Sequence, residues 1–120
     1  TAATELALCQ RYYENSFRPG TAPAQSAGVT HCTWGVICTV AGVMAIPIIY
    51  KVPKRTSPTR VLFNPSAANA EARDVVAGAD CSSTASAQST EYGFRVTAVS
   101  NASSAAGNTS AIGWTADAEL

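Results

Sequence analysis

The sequence predicts an all-β chain, an antiparallel β-sandwich of jelly-roll-like type with at most one short N-terminal helix. Three observations point there. Short apolar runs with period-two alternation recur between turn signals, roughly six to eight of them. Prolines at 47, 53 and 58 punctuate residues 46–63, two apolar runs around a basic turn, and forbid a continuous helix. No helical pattern of the length a Rossmann crossover needs alternates with the strands.

The first residues leave two choices open. Thr4 is placed to cap a short helix over residues 5–13 with Leu6, Cys9 and Tyr13 on one face. Alternation is the rival, and the tyrosine pair favours a strand over residues 10–14. Residues 16–28, with Pro19-Gly20, Pro23 and Gly28, read as an exposed loop of the kind that carries binding determinants. Phe17 and Arg18 at its mouth are candidate surface contacts, with a buried anchor as the simpler role for Phe17. Residues 29–40 read as one long strand, or two broken at Gly35, with Trp34 in the core or at a subunit interface. Residues 43–50 form the next strand, with Ile46, Ile48 and Tyr50 on one parity.

A basic turn follows, then a strand over residues 59–63, and the two read as an antiparallel pair. Tyr50 and Phe63 are expected inside, and Lys54 and Arg55 at the exposed turn as candidate surface contacts. Residues 67–79 allow a helix, or a loop before a short strand at 73–77. Residues 80–90 read as small and turn-like. Residues 91–99, carrying Phe94, and 110–120, carrying Trp114, are strands. Tyr13, Trp34, Tyr50, Phe63, Phe94 and Trp114 are expected in the core or at a subunit interface, because aromatics supply much of the chain's bulk.

Composition limits function. At 120 residues the chain reads as a single module, residues 1–120, and its abrupt start as that of a processed product or of the C-terminal part of a longer protein. Formal net charge is zero and 13% of residues are charged, so no global field draws it to nucleic acid or to an anionic membrane. The apolar run 36–50 is too short to span a bilayer and contains Pro47. No signal peptide is legible. Large apolar residues are scarce beside alanine, serine and threonine, so the thin core is expected to lean on a neighbouring domain or a symmetry mate. Lys51, Lys54, Arg55 and Arg60 read as a solvated turn guarding strand edges, or as a contact for phosphate or anionic glycan.

Catalytic and metal-binding patterns are missing. No phosphate loop, zinc-protease helix or nucleophile elbow appears, and the eight carboxylates are dispersed. The reading is therefore no enzyme, no cofactor and no metal. Cys9, Cys32, Cys38 and Cys81 fit no zinc spacing, and both free thiols and disulfides remain open. Asn101-Ala102-Ser103 and Asn108-Thr109-Ser110 match the glycosylation pattern.

Three blocks carry a resemblance: Cys9-Gln10-Arg11-Tyr12-Tyr13-Glu14 near the start, Pro53-Lys54-Arg55-Thr56-Ser57-Pro58-Thr59 at the centre, and Trp114-Thr115-Ala116-Asp117-Ala118-Glu119-Leu120 at the close. In this order, over nearly the whole chain, they resemble a recurrent C-terminal module of tailed-bacteriophage structural proteins: tail-fibre, tailspike and head-fibre components. The resemblance implies a virion location, a homotrimer that buries what one chain leaves exposed, other virion proteins as partners, and a host-surface glycan or protein as a contact. It implies no catalytic residues. A carbohydrate-binding module of another kind of protein is the alternative, and exposed aromatics beside polar side chains would mark it.

Overall fold

The computed structural model describes residues 4–5, 8–9, 11–18, 20–37 and 41–118. Thr4, Glu5, Leu8 and Cys9 have helical backbone. Nine strands follow among the described residues: β1 (Tyr13–Asn15), β2 (Thr33–Val36), β3 (Val43–Ile49), β4 (Thr59–Phe63), β5 (Arg73–Asp74), β6 (Ala79–Asp80), β7 (Ser83–Ala87), β8 (Gly93–Val99) and β9 (Thr109–Asp117). A single 3-10 turn, Val29–His31, precedes β2. Every pairing is antiparallel, and the strands form a six-stranded and a three-stranded sheet packed as a jelly-roll-like sandwich.

β9 is the spine of the larger sheet. Peptide groups of successive strand residues point to opposite edges. On β9 the even residues serve one edge: Ser16 N donates to Trp114 O, and Ile37 N donates to Asn108 O just before the strand. β1 and β2 therefore lie end to end along that edge. The odd residues serve the other edge, where β4 and β5 lie end to end and Val75 N donates to Thr109 O. β6 then adds to β5. The smaller sheet runs β3-β8-β7.

The core follows from parity. Met44, Ile46, Ile48 and Tyr50 meet Phe94, Val96 and Ala98 from β8 and Ile112, Trp114 and Ala116 from β9. Tyr50, Phe94 and Trp114 form a triangle with ring centroids 5.7 to 6.0 Å apart. Such pairs add about 0.5–1.5 kcal/mol beyond the area they bury. Gly35 of β2 faces inward, where a Cβ would stand 2.6 Å from Ile46 Cγ1. Pro47 keeps the β3 ladder intact. Even residues of β3 bond β8, as in Ser100 N to Gly42 O and Tyr50 N to Tyr92 O, so Pro47 nitrogen points to the open edge where no donor is needed.

Three expectations change, and the open choice over residues 67–79 falls to the loop before a short strand. The stretch 46–63 is not a hairpin: β3 pairs β8 and β4 pairs β9, so residues 50–58 cross from one sheet to the other. The break in 29–40 falls at the 3-10 turn and Cys32, ahead of Gly35, while residues 38–40 lie outside the described set. The turn-like segment 80–90 contains β7, a strand built of serine, threonine and alanine. Residues 67–72 carry no helix, and only Arg73–Asp74 pairs as a strand there.

Candidate functional site

Lys54 is not on an exposed turn. Its side chain is fully buried and its Nζ lies 3.0 Å from Glu14 Oε1, with Val52 O a second acceptor at 2.8 Å. The crossover folds inward because Glu14 also accepts from the amides of Lys51, at 3.1 and 3.0 Å, and Val52, at 3.4 Å. Lys54 N and Arg55 N then bond Glu91 O and Arg11 O. The Lys54 ammonium stands 4.5 Å from the centre of the Tyr50 ring. This assembly closes the sandwich at one end and leaves no free cation at residue 54 for a surface ligand. Arg55 is exposed, with its guanidinium carbon 5.6 Å from the centre of the Tyr12 ring.

Tyr50 and Arg60 share that end. Burial pushes the Tyr50 phenol up to about 12, with the Arg60 charge pulling it down and the Glu14 charge pushing it further up. Tyr50 OH and Arg60 Nη1 are both buried without a hydrogen-bond partner among the described residues. The groups are structural in placement, since the Tyr50 ring packs on Phe94 and Trp114.

Phe17 and Arg18 separate. Phe17 is buried on the outer face of β9, edge-on to Phe63 at 5.3 Å and stacked on His31 at 5.6 Å. Gly113 makes the room: a Cβ there would come within 3.3 Å of Phe63 Cβ. Phe63 is accordingly only partly buried, and on the outer side of its sheet. Arg18 is exposed, and its amide donates to His31 Nδ1 at 3.1 Å. The loop expected to present these residues is strapped down. Gln25 holds Leu62 O and Asn64 N, and the amides of Ser26 and Gly28 bond Asn64 O and Pro65 O.

A polar network braces the opposite end. Burial raises the pKa of Asp74, but the amides of Ala77 and Val76 and the Asn108 side chain outweigh it and hold the carboxyl below its ordinary value. Burial likewise raises Asp80, and Asn64, Asn69 and Arg73 more than offset it. Asn101 and Asn108 spend their amide nitrogens on Asp80 O and Asp74, so both glycosylation matches are structural asparagines. Cys9, Cys32 and Cys81 are free thiols. Burial pushes Cys32 and Cys81 up to about 11, with nearby carboxylates adding to the rise at Cys81. Among the described residues no His, Cys, Asp and Glu cluster is placed to hold a metal, and no helix is long and apolar enough to cross a membrane.

Of the six aromatics expected inside, Tyr50, Phe94 and Trp114 are in the core. Tyr13 and Trp34 are not: they are 38% and 49% exposed. Tyr13 pairs with Asp117, Trp34 with Ala111 and Val61 with Thr115, which sets all three on the outer face of the six-stranded sheet. Val36, 63% exposed, continues the row beyond Trp34. Between them β9 presents Ala111, Gly113 and Thr115, all buried by their larger neighbours. The middle of this face is covered by Phe17 over Gly113, with Phe63 and His31 against it, and the exposed aromatic and branched side chains stand around that cluster. Comparison with family models, curated proteins and solved structures finds no match.

Proposed function

We propose that the chain is a structural module of a tailed-phage fibre or capsid appendage, assembled in the virion as a homotrimer through the outer face of the six-stranded sheet. The observation that carries this reading is the set of exposed apolar side chains on both sides of β9, Tyr13, Trp34 and Val36 along one edge and Val61 along the other, around the Phe17–Phe63 cluster. The patch is apolar and aromatic along β1, β2 and β4, with the partly exposed Arg73–Asp80 pair at its border beside Ala111, and an apolar area with a polar rim is the composition of a subunit interface. The three sequence blocks at the start, centre and close add the virion assignment, and each has a place in the sandwich. Glu14 holds the crossover that carries the central block, and the closing block forms the end of β9. A trimer places the opposite sheet outward, where other virion proteins or a host surface would meet it.

Light scattering on the purified chain tests the reading. It predicts a particle of three times the 12.3 kDa chain mass. Trp34→Ser with Val36→Ser, at exposed positions that leave the core untouched, is expected to reduce it to the single-chain mass. A wild-type particle of single-chain mass at micromolar concentration, or a double variant that stays trimeric, contradicts it.

A further inference from the structure

The outer face of the three-stranded sheet carries a groove of about 440 Å³ at the end where β3 and β8 meet the turn into β8. Gly93 opens its floor. A Cβ at Gly93 would run into the carbonyl oxygen of Ile48, so no side chain can fill the hollow. Ile49 and Tyr92, 80% and 67% exposed, stand at its sides. Arg95 and Gln88 complete the rim. The turn is held before any ligand arrives. Thr90 N donates to Gly93 O at 2.9 Å, Tyr92 N donates to Thr90 Oγ1 at 3.1 Å, and Ser89 Oγ lies 2.9 Å from Ser57 Oγ. Gln88 sits in the left-handed region at φ 53°, which is uncommon for a non-glycine residue and turns the chain sharply at the rim.

We infer that this groove binds an anionic sugar, with the pyranose face against Tyr92 and Ile49 and its carboxylate or phosphate on the Arg95 guanidinium. An exposed aromatic face beside a branched apolar side chain suits the C–H face of a sugar ring. The side chains of Gln88, Tyr92 and Arg95 form no hydrogen bond or ion pair with the described residues, so all three polar ends are available. The rim is charge-selective: Arg95 is the one charged residue lining it, and no carboxylate does. A guanidinium matches the two oxygens of a carboxylate or phosphate in a bidentate pair. The groove lies on the sheet opposite the proposed association face and needs no second chain.

Amide chemical-shift titration of the full chain tests the inference, with trigalacturonate, mannose 6-phosphate, maltotriose and inorganic phosphate as probes. Trigalacturonate, mannose 6-phosphate or both are expected to shift the amides of Ile49, Gly93 and Arg95, and their relative strength separates carboxylate from phosphate. Maltotriose is expected to bind roughly tenfold more weakly, the scale of one charge-assisted hydrogen bond. Arg95→Gln should abolish the preference for the anion, and Tyr92→Ala should weaken every sugar. Both residues are exposed, and unchanged core amides verify the fold. The inference is overturned if neither anionic sugar shifts the groove, if inorganic phosphate binds as well as they do, or if Arg95→Gln leaves anion preference intact. The titration reads the groove in any oligomeric state, so it succeeds or fails independently of the mass measurement.

Discussion

Glu14 shows how much a single side chain can organise. It is a buried carboxylate in a short strand, yet it receives two backbone amides and an ammonium from the crossover some 40 residues later in the chain. Removing one partner of a buried pair strands the other in a low-dielectric site, at about 3–5 kcal/mol. Lys54→Met is therefore expected to lower the unfolding free energy measured by urea denaturation by an amount in that range. Glu14→Gln with Lys54→Met should recover much of the loss, because the neutral amide still meets the Lys51 and Val52 donors. Equal losses in the single and double variants would show that the ammonium and carboxylate do not act as a pair. Asp74 and Asp80 give the pH dependence. Both have folded pKa values held below the unfolded value of roughly 3.9. Their contribution is full above the unfolded pKa and is lost as pH falls through the folded one. Urea midpoints should therefore stay level from neutral pH to about pH 5 and fall below about pH 4. Asp80→Asn should flatten the acid limb, and a wild-type midpoint unchanged down to pH 2.5 would contradict the assignment.

At the scale of elements, legibility tracked side-chain size and the range of the deciding contacts. β3, β8 and β9 were legible because large apolar residues alternate in each: Ile46 and Ile48, Phe94 and Val96, Ile112 and Trp114. β7 was not, since Ser83–Ala87 alternates only among small residues and is fixed by its ladder to β8. The inward turn of Lys54 was hidden for another reason: its partner Glu14 is remote in sequence. The same remoteness hid the crossover, where local turn chemistry spoke for a hairpin while the free edges of β8 and β9 took the two strands apart. Phe17 was legible as an anchor but not its partners, because the strap through Gln25 and the cradle of Gly113 join separate segments. The approach of β2 to β3 supplies a test. Gly35→Ala places a methyl against Ile46 in a closed part of the core, and overpacking of this kind costs about 1–3 kcal/mol. Ile46→Val should relieve part of that loss when combined with it, as read from thermal midpoints. A neutral Gly35→Ala would mean that β2 stands further from β3 than described.

For the whole molecule, the two sheets divide the work. One end of the sandwich is locked by the Glu14–Lys54 pair and the Tyr50–Phe94–Trp114 triangle, and the outer faces are the surfaces that the proposed function and the proposed groove use. In the proposed assembly the six-stranded face, with its exposed aromatic and branched side chains, meets another copy, and the three-stranded face carries the groove. Of the expected aromatics, the three that the core does not hold, Tyr13, Trp34 and Phe63, all lie on the outer face of the six-stranded sheet. The chain's two tryptophans report on it directly, since Trp114 is in the core and Trp34 is half exposed in a single chain. Acrylamide quenching of a Trp114→Phe variant, followed through a dilution series beside light scattering, isolates Trp34. The account predicts strong protection of Trp34 in the trimer and a rise in quenching that follows dissociation. Quenching of Trp34 that is high and constant at every concentration, or that stays unchanged when a trimer dissociates, would contradict it.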